Sequence, residues 1–130
     1  MTAQMKWGTT SLYNLKGIHP DLRKVCDRAL YLSSRDFRIL DGLRTKAEQT
    51  TNVKKGVSQT MNSRHLTGHA IDFGVLKNGG VDWADIPGFV MIGMAFKQAA
   101  KELNIPIVYG GDWRTLKDYG HVELSRKAYP

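Results

Sequence analysis

Cysteine is almost missing from this chain of 130 residues: Cys26 is the only one. No intramolecular disulfide can form, and a cysteine-based zinc knuckle is excluded. Its neighbours Val25, Ala29 and Leu30 mark it as a small buried hydrophobe rather than a nucleophile. Long apolar runs are also missing. The most apolar stretch, 86–100, is broken by Pro87, Gly88, Gly93, Lys97 and Gln98, and falls short of the roughly 20 residues a membrane span needs. The opening residues Met1 to Trp7 lack the apolar core of a signal peptide. The expectation is a cytosolic protein without stable membrane insertion, which something else must release if it acts outside. Acidic residues are scarce, twelve against nineteen Lys+Arg, giving a net charge of +7. That charge serves solubility, and it also suits an anionic partner, either nucleic acid or the polymers of a bacterial envelope. Charge alone does not choose among them.

What is present is ordinary globular material: 42% hydrophobic and 24% charged residues, enough for one domain over 1–130 and too little for two. Pro20 and Asp21 suit the first turn of a helix, and Leu22, Val25, Cys26, Ala29 and Leu30 recur on one face of it. Phe37 to Leu40 reads as a strand ended by Asp41-Gly42, and Thr45 with Glu48 fits a capping box for a helix reaching about Lys54. The polar stretch 56–67 reads as loop. Ala70 to Val75 alternates like a strand before the turn Asn78-Gly79-Gly80. Asp85 and Pro87 open a further helix, with Phe89, Ile92, Gly93, Phe96, Ala100 and Leu103 as its buried stripe. Ile107 to Tyr109 and His121 to Leu124 complete the strands. Strict βαβ alternation is lacking, so the fold expected is α+β, with helices packed around a small, largely antiparallel sheet.

The chemistry gathers in two short segments, Ser63-Arg64-His65-Leu66-Thr67-Gly68-His69-Ala70-Ile71-Asp72 and Asp118-Tyr119-Gly120-His121, which hold three of the four histidines. An open catalytic zinc site takes three nitrogen or oxygen ligands and a separate carboxylate for proton transfer. Two histidines, one ligand aspartate and one spare aspartate meet that need. Taken singly, each histidine reads as structural before it reads as ligating.

The first segment has the Ser-x-His-x-x-Gly-x-Ala-x-Asp pattern, and the second resembles the acidic-x-x-His signature, of the zinc D-alanyl-D-alanine carboxypeptidase and dipeptidase family. Asn14 to Leu22, Gly42-Leu43-Arg44-Thr45 with Glu48-Gln49, and Gly110 to Trp113 are similar to that family too, so the resemblance runs along nearly the whole chain. It is nearest to the phage endolysin branch, the L-alanyl–D-glutamate endopeptidases. The resemblance implies a zinc site on a hedgehog/DD-peptidase-like fold, with His65, Asp72 and His121 as the ligands. Asp118 becomes general base and acid, an aspartate where many relatives carry glutamate. Arg44 becomes the cation facing the scissile carbonyl, the plainer alternative being a surface arginine at a helix start. The implied substrate is the peptidoglycan stem peptide. The implied setting is a monomer held in the host cytoplasm until a holin lets it reach the wall.

His69 is spaced from His65 like a helical ligand pair, but Gly68 argues against a helix there, and His69 is expected beside the substrate or behind the ligands. Glu123, two residues beyond His121 on a strand, points the same way as that ligand, either to orient an imidazole or to pair with a basic residue. Trp113 and Tyr119 serve core packing or substrate contact. Three rival readings remain. A D-Ala-D-Ala carboxypeptidase or dipeptidase would have the same zinc site. A nucleic-acid-binding domain would use the charge, but Lys and Arg are scattered and no recognised module appears. A zinc scaffold without catalysis would have no use for Asp118.

Overall fold

Helix α1 (Thr9–Leu15) has no side-chain cap at Gly8 and no acidic residue in its first turn. No start signal therefore marks it in the sequence. The computed structural model describes residues 6–56 and 63–130, without the side chains of Lys46 and Gln49. In it, α1 shields the edge of strand β1 (Phe37–Asp41). Ser11 Oγ accepts from the Ile39 amide at 3.0 Å, and Asn14 Nδ2 donates to the Ile39 carbonyl at 2.9 Å. Edge groups that would otherwise invite another strand are satisfied within the chain.

The other helices begin where their signals stand. Pro20 opens α2 (Pro20–Leu32), where the His19 side chain accepts from the Asp21 amide. Thr45 and Glu48 form both hydrogen bonds of a capping box on α3 (Lys46–Lys54). Asp85 accepts from the Gly88 amide at the start of α4 (Ile86–Leu103). Leu103 does not join the buried stripe of α4. It lies 38% exposed in the last turn, and Ala99 packs inward in its place. The loop expected over 56–67 is partly a 3-10 turn, Arg64–Thr67; residues 57–62 of it lie outside the described ones. Ser63 Oγ caps that turn, and Gly68 closes it with φ +73, a left-handed conformation in which a Cβ would also meet the Gly17 carbonyl oxygen at 2.8 Å.

Strand β2 (Ala70–Lys77) is central. With β3 (Gly80–Val81), β4 (Ile107–Tyr109) and β5 (His121–Leu124) it forms an antiparallel sheet of order β1-β2-β5-β4, β3 pairing on β2 after the Asn78-Gly79 turn. The side-chain period of two divides β2 and β5 between two environments. Ile71, Phe73, Val75, Val122 and Leu124 are buried in the core with α2 and α4, where Phe37, Phe73 and Phe96 meet ring to ring. Ala70, Asp72, His121 and Glu123 belong to the other face. Between Ile39 and Asp41 the β1 register slips, so that Asp41 rather than Leu40 stands opposite Asp72. Asp72 in turn pairs with His121. Three ionisable residues thus form one row across three strands.

Candidate active site

The row is completed by His65, which the 3-10 turn carries against β2. One ligand atom each from His65, Asp72 and His121 lies within 4.8 Å of the others. Asp72 sits between the rings: its Oδ2 is 3.2 Å from His65 Nε2 and its Oδ1 is 3.0 Å from His121 Nδ1. The far nitrogen of each ring is also held. His65 Nδ1 lies 2.8 Å from the Gly42 carbonyl, which can only accept, so Nδ1 carries the hydrogen and Nε2 faces the cluster. His121 Nε2 lies 2.9 Å from Glu123 Oε1, another pure acceptor, which leaves Nδ1 facing the cluster. Glu123 is itself near two cations, Arg64 at 4.0 Å and Arg126 at 3.9 Å. Both alternatives raised for it therefore occur together.

The donor set fits a metal ion. Two imidazoles with fixed tautomers and one carboxylate converge on a gap that an ion taking nitrogen and oxygen at about 2.0–2.2 Å can span. The charge state says the same. Burial pushes His121 down, but the hydrogen bonds to Asp72 and Glu123 outweigh it and raise the ring to about 9. Burial pushes Asp72 up, and the hydrogen bonds from His121 and His65 overcome it and hold the carboxyl well below the usual carboxylate range. Without metal, a protonated ring stands where a cation is wanted.

Arg44 is buried, not on the surface. Its backbone amide donates to the His65 carbonyl at 2.8 Å, and its guanidinium is anchored on Asp41 Oδ2, with Nε at 3.0 Å. From there Nη2 reaches to 3.8 Å from Asp72 Oδ2. In the sequence Asp41 marks only a turn. The bulge that aims it is a tertiary feature, and the Asp-Gly pair was its only signal. Asp118 lines the same cleft as Asp72. Its backbone amide donates to the Gly110 carbonyl at 3.1 Å, and a Cβ at Gly110 would lie 2.4 Å from the Asp118 carbonyl oxygen, so glycine permits the approach. Desolvation by the surrounding cleft, and after it the negative charge of Asp72, raises the Asp118 carboxyl.

Asp72 and Asp118 line one cleft of about 320 Å³, together with Leu40, Trp83, Ile86 and Phe89. Trp113 packs near the His121 ring, with centroids 5.3 Å apart, and Tyr119 lies against the core as well as on the cleft wall. His69 is not drawn into the cluster. Its ring lies 5.2 Å from that of His19, and its Nδ1 meets Thr67 Oγ1 at 2.7 Å. Cys26 is fully buried, and burial pushes its thiol far up, as suits an inert core residue.

The chain is similar in sequence and in fold to known proteins. The chain is 42% identical over 127 residues to the L-alanyl-D-glutamate peptidase of Escherichia phage T5, covering 95% of this chain and 92% of that one. The crystal structure of the Serratia marcescens L-Ala D-Glu endopeptidase ChiX superposes with a TM-score of 0.89 at 41% identity, over 98% of this chain and 95% of that one. The vancomycin-resistance D,D-dipeptidase VanXYg shares the fold at 21% identity and a TM-score of 0.56, over 82% of this chain and 50% of that one. Residues 3–129 match the family described as phage L-alanyl-D-glutamate peptidase, and the chain belongs to that family.

Proposed function

We propose that the protein is a zinc-dependent peptidoglycan hydrolase that cuts the L-alanyl–D-glutamate bond of the stem peptide and so lyses the bacterial host. The observation that carries this reading is the His65–Asp72–His121 donor set, whose Asp72 shares one cleft with a raised carboxyl, Asp118. Zinc held by the three residues supplies Lewis-acid polarisation and makes water acidic enough to ionise near neutral pH. The chain does the rest. Asp118 takes the proton of the attacking water as the new C–O bond forms. It then gives that proton to the D-glutamate nitrogen as the C–N bond breaks. A carboxyl raised above its ordinary value suits a group that must both take and return a proton. Arg44, fixed by Asp41, offers its charge to the developing oxyanion. Glu123 keeps the His121 ring in the tautomer that presents Nδ1.

No helix among the described residues is long and apolar enough to cross a membrane. In this reading the monomer waits in the host cytoplasm and reaches the wall through a holin-type pore, which the phage origin of the family supports. The decisive assay digests purified peptidoglycan and labels the new amino termini with dinitrophenyl. A new terminus on D-glutamate, lost on chelation and restored by zinc, is the expected result. Release of D-alanine with no glutamate terminus would overturn the reading.

A further inference from the structure

The cleft beside the donor set is chemically lopsided. Leu40, Trp83, Ile86, Phe89 and Tyr119 make a continuous apolar wall. Trp83 is 66% exposed, yet its ring is not loose, because it stacks on Phe89 at 6.1 Å between centroids and 20° between planes. A large aromatic held flat against a buried one, with its outer side left to solvent, is a platform for something with an apolar face. The charged members of the cleft are Asp41, Asp72 and Asp118 against one cation, Lys117. Lys117 is partly engaged, its amine 3.3 Å from the Gly111 carbonyl. Asp41 is already paired with Arg44, and Asp72 with the two histidines, so beyond the donor set what this cleft offers a ligand is chiefly its apolar wall.

The two sides of the proposed scissile bond differ in the same respect. The D-glutamyl side bears a free carboxylate and leads to a further charged residue. The other side is neutral: the alanine methyl, a lactyl methyl, and the muramic acid ring with its C–H faces. We propose that this cleft is the acyl-side subsite, and that Trp83 is a specificity-determining residue that receives the muramoyl sugar, so the enzyme favours stem peptides still attached to glycan. The inference rests on the function proposed above.

Two small substrates separate the possibilities. N-acetylmuramoyl-L-alanyl-D-isoglutamate has the sugar and lacks diaminopimelate, whereas L-alanyl-D-glutamyl-diaminopimelate has the reverse. Trp83→Ala should lower kcat/KM about 3- to 10-fold on the first, through KM, the size expected for one aromatic contact. The second should change less than about twofold, and Trp83→Phe should restore most of the loss. An unchanged thermal midpoint is expected for this exposed position. A loss confined to the diaminopimelate substrate would assign the cleft to the other side of the bond, and equal or no loss on both would remove the sugar contact; each overturns the proposal. Direct calorimetric binding of N-acetylmuramoyl-L-alanine stands apart from catalysis. Wild-type protein should bind it more tightly than Trp83→Ala does, whichever bond the enzyme cuts. If wall digestion yields no glutamate terminus while this difference persists, the bond assignment has failed and the sugar site stands. If the terminus appears and the difference is absent, the reverse holds.

Discussion

The two faces of the central strands are made of alternating residues of the same few segments, and they obey opposite rules. On one face Ile71, Phe73, Val75, Val122 and Leu124 are buried to 3% exposure or less, each among apolar neighbours. On the other, Asp72, His121 and Glu123 are more open to solvent and meet charge against charge. A core position is satisfied by volume, whereas a site position is satisfied by one partner at one distance. The difference predicts that damage on the site face shows in chemistry and damage on the core face in stability.

The largest effect should come from Asp118. Asp118→Ala is expected to keep metal close to one equivalent while turnover falls roughly 100- to 10,000-fold. His121→Ala should lose metal as well as activity, and neither should lower the thermal midpoint of the metal-free protein as far as a core truncation does. Elemental analysis beside wall digestion reads both. Metal lost from Asp118→Ala but retained by His121→Ala would reverse the two roles. Phe73→Ala is the mirror case. Phe73 is 1% exposed and meets Phe37, Phe89 and Phe96, so its truncation should cost about 3–5 kcal/mol in denaturant unfolding. The variant that remains folded should still bind metal. Loss of metal affinity with little loss of stability would deny that the faces are separable.

The sequence displayed these two faces unequally. Period-two alternation made β2 legible, β5 read as a strand, and cap residues marked α2, α3 and α4 within a residue or so. Helix α1 was invisible because Gly8 gives no cap and its stability comes from packing on β1. On the site face, the two motifs foretold that His65, Asp72 and His121 would meet, and the register does bring them together. Of the groups that hold them, Glu123 was legible from its place two residues beyond His121, and the others were not. Gly42 acts through a backbone carbonyl, which no residue name announces, and Asp41 acts through a bulge that exists only once β1 pairs with β2. Trp83 is eleven positions from Asp72 along the chain, and only folding makes them neighbours in one cleft.

A pH series sharpens the comparison, since only one face titrates. In the metal-free protein His121 is raised to about 9 from an unfolded value of about 6.5. Its stabilising contribution is therefore fully present below about pH 6.5 and is lost as pH rises through 9. Asp72 is lowered, so its contribution is present above about pH 4 and lost as pH falls. The metal-free protein should be most stable between about pH 4 and 6.5. Metal binding displaces the His121 proton, so the stabilisation gained from zinc should instead grow as pH rises over that range and beyond. Thermal midpoints with and without zinc should diverge with pH. Parallel curves would show that zinc does not compete with that proton.

The smallest expected effect lies at the boundary between the two regions, where Arg44 is joined to an exposed helix. Thr45 Oγ1 accepts from the Glu48 amide at 3.0 Å and Glu48 Oε1 accepts from the Thr45 amide at 3.1 Å. Removing this box by Thr45→Ala should cost about 1 kcal/mol of stability. Yet the anchors described for Arg44 lie outside the box. Its amide is tied to the His65 carbonyl and its guanidinium to Asp41, both on the sheet side of the junction. Fraying α3 should therefore leave kcat/KM within about twofold, whereas Asp41→Ala should reduce kcat by tenfold or more, because a loosened cation no longer meets the oxyanion in place. Steady-state kinetics on the two variants, beside their unfolding curves, form the test. If Thr45→Ala lowers kcat as far as Asp41→Ala does, Arg44 is held by its helix and not by the strand, and the bulge in β1 has no part in aiming it.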